Sequence, residues 1–549
     1  MYVVNPLNTF KGTDSLRKYF DPDAQPPLPL VELPEKLNPF RGDGVRIYAK
    51  MLTALPAQNV KALPALNMLL NDEAAADGSI KEVSSGSTVT SLAITARVLY
   101  DNDDTTAFVS NKASLDRVRE LQFYGLKVAL YGGPTYTETT DPRGPVEWAR
   151  RLGREDSKTV NLGQYDNDFN WKSHERWTGP QVWKQLPEID IFCMGMGSTG
   201  CVTGAGRYLK SQKPSVKVLG VCNDEADLVP GPRERPLHET SPFPWKEIVD
   251  FTENVSSLES YRVSMRLSRE GLIAGPSSGM NLQGLFNFLQ REKENGTLRE
   301  YADPVTGEIS CVFVCCDLPQ KHVDTYFKKL PPEEFQPTIN DELFAVDQHV
   351  YSFRWEIDPR ESEQQLEGIL PLIKELGACE GSKGTDEPDS DHFSRAVRFV
   401  DLRCPNDFKS CHVTGAYSCP LPNSMAETPT PFDFGDTKVL LDQWKELNVM
   451  LRNQEASQWL SDKESPLVVI DYNGDTSRIL TAILRAQGVE AYSFRDGMPG
   501  VLKYLNSEDH PNHRVITECR SHVAVDYIKF ARYAASAAKR KCRRMDAIG

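Results

Sequence analysis

No stretch of this chain approaches the uninterrupted apolar length that crosses a bilayer, so no helical membrane span is expected. Basic residues are not in excess either. Against 77 Asp and Glu stand 63 Lys and Arg, a net charge of −14, which argues against a protein that neutralises a nucleic-acid backbone. The first twenty residues lack a basic segment followed by an apolar run, so no secretory leader is expected. The 12 cysteines are scattered, with no paired C-x-x-C sites at zinc spacing, and no internal repeat stands out. Cys315-Cys316 lies in an apolar, strand-like run, where buried free thiols are the expected state. These absences lead to the expectation of a cytoplasmic protein with no metal centre and no nucleic-acid or membrane partner.

What is present is ample core-forming sequence. The 549 residues, 40% hydrophobic and 26% charged, suit two or three globular domains. From about residue 44 to 317, strand-like and helix-like patterns alternate: residues 106–109 as a strand, 114–124 as an amphipathic helix, 127–130 as the next strand. Further on, apolar runs at 189–194 and 216–221 flank a helix at 204–210. Such alternation implies right-handed βαβ crossovers and mostly parallel sheets, with the chemistry in loops at the strands' carboxyl ends. The expected organisation is a first domain over 30–335 and a connecting segment over 336–396. The latter carries a helix at 361–376 and an acidic, Gly-rich stretch at 380–391. A second α/β domain spans 397–510, followed by a C-terminal helix over 511–549. The basic tip Lys539-Arg540-Lys541-Cys542-Arg543-Arg544 reads as a solvated helix end complementing its dipole, or else as a localisation or anion-binding patch.

Three segments of the first domain carry chemistry. Lys61 precedes Pro64 and a helix at 65–70; taken alone it is a surface charge. Residues 82–93 (EVSSGSTVTSLA) form a small-residue turn opening a helix at 88–100, presenting amides and hydroxyls suited to a carboxylate. The same turn also reads as an ordinary Ser/Thr cap. Residues 195–206 (GMGSTGCVTGAG) make a strand, Gly-rich turn and helix, suited to cradling a phosphate, with a nucleotide site as the alternative.

Together these segments resemble the cysteine synthase and cystathionine β-synthase family, pyridoxal-phosphate enzymes of fold type II. The matches run through Ala49-Lys50, Pro56, Val60-Lys61, Ala65 and Met68-Leu69, then the 82–93 loop. Gln164-Tyr165-Asp166-Asn167, Asn170, His174 and Thr178-Gly179-Pro180 follow, then Gly197 to Cys201 with Gly204, and residues 271–279. The resemblance implies pyridoxal 5'-phosphate held as a Schiff base on Lys61, preferred over Lys50, with Lys61 also the general base. It implies cofactor contacts from Ser87, Gly197, Ser198, Thr199, Gly200, Cys201 and Ser277, the last at the pyridine nitrogen. Ser84, Ser85, Gly86, Thr88 and Gln164 would bind substrate. A hydroxyl at the ring nitrogen suits β-elimination and replacement better than transamination. The chain departs from the family pattern at Ala62-Leu63 (Asp-Arg), Ser87 (Asn), Val89 (Gly) and Thr199 (Gly).

The second domain, from Asp401-Leu402-Arg403 through His412-Val413-Thr414-Gly415-Ala416 and on to Gly497-Met498-Pro499-Gly500, resembles the rhodanese-like domain. Asp471 stands where active members have a cysteine, with Gly474 and Ser477 at the matching spacing. A carboxylate carries no persulfide, so a binding or regulatory role is expected, with transfer through Cys404, Cys411 or Cys419 as the alternative.

The expected fold is therefore α/β: a fold type II pyridoxal-phosphate enzyme of two parallel-sheet subdomains, followed by a rhodanese-like domain. The expected activity, implied by the resemblance, is β-replacement on serine or O-acetylserine with sulfide or a thiol, in a homodimer. β-Elimination (a cysteine desulfhydrase or serine dehydratase type) and a catalytically degenerate cofactor-binding scaffold are the alternatives.

Overall fold

The structure, a computed structural model, describes residues 5–84, 86–133, 138–358, 397–413, 415–453, 456, 459–460 and 465–505. The expected helix at 361–376, the acidic stretch at 380–391 and the segment 511–549 lie outside the described residues. The chain divides into two compact units, residues 1–336 and 337–549.

The first unit contains two sheets. Strands β1 (Leu30–Glu32), β2 (Val45–Met51), β7 (Ile191–Gly195), β8 (Lys217–Asn223), β9 (Phe251–Val255) and β10 (Ile309–Cys315) form the larger, in the order β1-β2-β10-β7-β8-β9. Only β1 runs antiparallel. Strands β3 (Ser79–Val83), β4 (Thr105–Ser110), β5 (Lys127–Tyr131) and β6 (Thr159–Val160) form the smaller, all parallel, in the order β5-β4-β3-β6. Central strands of a parallel sheet are covered on both faces, so they read as unbroken apolar runs rather than alternations. Every residue of β7 and of β10 is buried, whereas β5, at an edge, is exposed or half-exposed throughout.

Helices cover both faces of the larger sheet. Pro276–Asn295 begins with Pro in its first turn and ends where Gly296 (φ +75°) turns its amide back onto the carbonyls of Glu292 and Lys293. Its buried face, including Leu285, Phe288 and Leu289, joins Ile47, Leu219 and Phe313 in one core. The carboxyl ends of β2, β3, β7, β8 and β10 all lead into loops that line one cavity.

The second unit is a five-stranded, all-parallel sheet in the order β11-β15-β14-β12-β13: β11 (Glu356–Ile357), β12 (Arg398–Asp401), β13 (Tyr417–Ser418), β14 (Leu467–Ile470) and β15 (Ala491–Phe494). One feature differs from the sequence reading. Part of the segment expected to connect the domains belongs to this unit: β11 pairs with β15, and Leu343 and Val346 pack against the core of Leu467, Val469 and Leu480. A strand of two residues carries no readable periodicity, so its sequence resembles a linker.

Candidate active site

Lys61 is the N-cap of the helix Ala62–Leu70, and its position is set by short-range polar contacts. The Asn59 side-chain oxygen accepts from the Lys61 amide (2.9 Å) and from the Ser91 hydroxyl (3.1 Å). The Val60 amide donates to the Cys316 carbonyl at 2.7 Å, tying this turn to the end of β10. The Lys61 side chain lines the cavity, and no hydrogen bond or ion pair of its amine occurs among the described residues. Lys50 is different. Fully buried, its Nζ donates to Leu28 O (2.8 Å), Gln181 Oε1 (2.9 Å) and Gln185 Oε1 (2.8 Å), which occupies all three protons of an ammonium. Burial nevertheless pulls its pKa down to about 7. It is a structural lysine away from the cavity.

Ser84, Ser87, Thr88, Gln164, Gly197, Ser198 and Ser277 line the same cavity as Lys61. The Thr88 hydroxyl donates to Gln164 Oε1 at 2.8 Å, and Gln164 Nε2 donates to the Val83 carbonyl at 3.0 Å. Gly86 itself is packed against Arg117. Its φ of +154° is one that side chains avoid, and a Cβ there would lie 2.9 Å from an Arg117 nitrogen. Ser85 lies outside the described residues.

Gly197 and Ser198 face the cavity, while Thr199, Gly200 and Cys201 turn away behind them into the helix Gly200–Gln212. The first helical bond in this turn is Thr203 N to Thr199 O, so the amides of Cys201 and Val202 precede the intrahelical ladder. Asn170 braces the turn, donating to Ser198 Oγ (3.0 Å) and to the Gln164 carbonyl (2.5 Å). The two glycines have no room for a side chain: a Cβ on Gly197 would sit 2.5 Å from the Gly231 carbonyl, and one on Gly200 2.1 Å from Asn170 Oδ1. Thr199 has φ +64°, a left-handed conformation that is a true outlier for a β-branched residue. The threonine replaces a glycine of the family pattern while its backbone keeps the glycine's geometry.

The electrostatics favour neutral neighbours for the Lys61 amine. Burial, then the Lys61 charge, drives the His174 pKa down to about 3, and its Nδ1 pairs with Thr178 Oγ1 at 2.9 Å. Burial, then the Asp317 charge, pushes the Cys316 thiol up to about 11, with Lys61 and the Ser277 hydroxyl pulling against it. Glu82, just before the 84–88 turn, is raised to about 7 by burial; its Oε2 makes no hydrogen bond. All nine cysteines among the described residues are free, and Cys315 and Cys316 are buried, as expected.

Several cavity residues were not legible as site residues in the sequence. Arg117 arrives from the helix Leu115–Phe123, and Arg233, over the Tyr165 ring at 5.0 Å, from the loop after β8. Asp317 and His322 arrive from the loop after β10. None sits in a motif, and only the tertiary fold gathers them.

Residues 23–302 match the pyridoxal-phosphate dependent enzyme family. That is half of the chain. The chain belongs to this family of pyridoxal-phosphate enzymes. It is 30% identical over 249 residues to cysteine synthase B of Pseudomonas aeruginosa, covering 44% of this chain and 80% of that protein. It is 30% identical over 267 residues to cysteine synthase B of Salmonella typhimurium (47% and 83% covered). Against N-(2-amino-2-carboxyethyl)-L-glutamate synthase of Ralstonia nicotianae it is 29% identical over 283 residues (48% and 80% covered). The enzyme is thus pyridoxal-phosphate dependent and of the cysteine synthase type. Its residues fit that cofactor: a lysine amine without a protein partner, a turn whose glycines admit no Cβ, and helix-start amides left over for an anion.

Residues 387–504 match the rhodanese-like domain. Its loop after β14 repeats the strand–turn–helix device. Asp471 is 1% exposed; its Oδ1 accepts from the Gly474 amide (2.7 Å) and its Oδ2 from the amides of Thr476 (2.8 Å) and Ser477 (3.1 Å). Burial raises its pKa to about 6 against these three amides. Cys404 donates to the Asp407 carboxylate at 3.2 Å rather than sitting in an amide cradle, and Cys419 is buried. Thr414 lies outside the described residues. No helix among the described residues is long and apolar enough to cross a membrane.

Proposed function

We propose that the first unit catalyses β-replacement on serine or O-acetylserine, with sulfide or a thiol as the incoming group. The observation that carries this reading is the unpartnered Lys61 amine sharing one cavity with Ser84, Thr88, Gln164, Gly197, Ser198 and Ser277. Lys61 would hold the cofactor, with Gly197, Ser198 and the helix-start amides that follow them around its phosphate and the Ser277 hydroxyl at its ring nitrogen. Bound there, the cofactor supplies an electron sink at the substrate α-carbon.

The protein residues then do the following. Ser84 and the amides of the 84–88 turn, that of Thr88 included, hold the substrate carboxylate at a helix start, while the Thr88 hydroxyl gives its proton to Gln164 Oε1 and braces the turn. Lys61, released to the substrate amine, takes the α-proton on Nζ; neutral His174 and the un-ionised Cys316 thiol add no charge that would hold the proton there. The electron pair left behind closes a double bond to the β-carbon as the leaving group departs. The incoming thiol adds at the β-carbon, and Lys61 returns its proton to the α-carbon. A hydroxyl from Ser277 at the pyridine nitrogen would not hold it protonated as a carboxylate does, which limits transamination.

The test is an absorbance spectrum of the purified protein before and after adding serine, O-acetylserine or cysteine, with product analysis. A thioether or cysteine product supports replacement. Pyruvate without either establishes elimination instead, and no turnover of any β-substituted alanine establishes a non-catalytic scaffold.

A further inference from the structure

The loop after β10 carries a second cluster of ionisable groups that the chemistry above does not use. Asp317 Oδ2 accepts from Lys321 Nζ at 2.8 Å and from His322 Nε2 at 3.0 Å. Lys321 Nζ also donates to Ser87 Oγ at 2.8 Å. The cluster therefore reaches from the loop after the large sheet's β10 to the helix Ser87–Tyr100 of the smaller subdomain. Burial opposes ionisation of Asp317, but Lys321 and His322 outweigh it and hold its carboxyl well below the usual range. An ionised carboxylate only accepts, so His322 Nε2 presents a proton to Asp317, and in the neutral ring Nδ1 is the acceptor. Nδ1 makes no hydrogen bond among the described residues and, unlike Asp317 Oδ1, is not a buried orphan.

The place of the imidazole matters as much as its partners. A second cleft adjoins the first, bounded by the exposed Gln58, Asp116, Gln320 and Asp324. Two residues line both: Ser87 and His322. His322, its Nε2 held by Asp317, and Ser87 thus stand where the two clefts meet.

We propose that the outer cleft admits the second substrate and that His322 is the base that deprotonates it, oriented by Asp317. This rests on the β-replacement reading. The incoming group, written Nu–H, is a thiol or amine that still holds its proton at neutral pH. His322 Nδ1 takes that proton as the lone pair on Nu forms the bond to the β-carbon. The π pair of the Cα=Cβ bond moves to Cα, where the Lys61 ammonium delivers its proton. His322 returns its proton to solvent through the outer cleft. Over the cycle one Nu–H bond is exchanged for one Nu–C bond, with the leaving group departing as an anion and one proton released.

Two probe nucleophiles with O-acetylserine test this: 2-mercaptoethanol, which is mostly protonated at pH 7, and azide, which carries no proton there. In His322→Asn the ratio of kcat/KM for 2-mercaptoethanol to that for azide falls by about 10²–10³-fold, the usual share of a general base. Asp317→Asn, which removes the carboxylate that holds the His322 Nε2–H but leaves the imidazole, lowers the ratio by about tenfold. Azide turnover in each variant shows that it folds. Independently of turnover, diethyl pyrocarbonate labels His322 of the purified full-length protein, which lines the outer cleft, faster than the more deeply buried His174 and His238, mapped by mass spectrometry. An unchanged ratio, or a His322 slower to label than those two, overturns the assignment while β-replacement stands. A wild-type protein that uses neither nucleophile overturns both.

Discussion

The two units contain the same device, a buried strand running into a tight turn that aims helix-start amides at one point, and they use it in opposite ways. After β7 the turn passes through Gly197 and Gly200, which admit no side chain, and the amides of Cys201 and Val202 precede the helical ladder, where the proposed reading places an anion. After β14 the turn begins with Asp471, whose own carboxylate takes the amides of Gly474, Thr476 and Ser477. In the proposed reading one cradle takes an anion from outside; the other carries a carboxylate of its own chain. A fold that supplies amides does not by itself supply a function; the residue at the base of the turn decides whether a ligand is admitted.

The comparison predicts the largest effect in the first unit. Lys61→Ala abolishes borohydride-trappable cofactor and lowers turnover by about 10³-fold or more, read by mass spectrometry and steady-state rates. An unchanged covalent adduct in that variant would assign the amine elsewhere. In the second unit, wild-type protein shows no thiosulfate:cyanide sulfurtransferase activity, because the position of the thiolate is filled by a carboxylate. Robust turnover there would break the contrast between the two turns.

The Asp471 plug also sets a pH dependence. In the unfolded chain its carboxyl titrates near 3.8, in the folded unit at about 6, so between these values the folded state holds more protons. Its contribution to stability is full below about 4 and is lost as the pH rises through about 6, a difference of about 3 kcal/mol. Urea unfolding of the second unit from pH 4 to 8 measures that slope, and Asp471→Ala removes it. The same variant leaves three amides without an acceptor, and at pH 5 destabilises the unit by about 2 kcal/mol.

Smaller effects probe the open turn. Gly200→Ala forces the loop off Asn170 at a cost of about 1–3 kcal/mol and raises the cofactor dissociation constant by about tenfold. Thr199→Gly relieves the left-handed strain and stabilises the first unit by up to about 1 kcal/mol, seen as a higher Tm. A lower Tm would show that the Thr199 hydroxyl, 3.3 Å from Ser241 Oγ, outweighs the strain.

The parts of the site that the sequence disclosed are those encoded over short distances. The 84–88 and 197–201 turns each follow a buried strand and open a helix, so spacing and glycine content suffice to find them. Lys61 stands beside Asn59, which caps its own turn. By contrast Arg117, Arg233, Asp317 and His322 reach the cavity from a separate helix and from loops between strands, and nothing local distinguishes them from surface charge. The fold shows the same division. The buried runs of β7, β8 and β10 were readable; the edge strand Glu356–Ile357 was not, because its partner Ser493-Phe494 lies more than a hundred residues onward.

The pairing of β2 with β10 has a consequence for biosynthesis. Val45 aligns with Ile309 and Met51 with Cys315, so the strand leading to Lys61 gains its central neighbour only after some 260 further residues have been made. Closing so large a loop is slow, and until it happens β2 is hydrogen-bonded only to the short β1 along one edge. A nascent chain interrupted before residue 309 therefore leaves the second edge of β2, from Val45 to Met51, without its strand partner, an edge that invites chaperone capture or self-association.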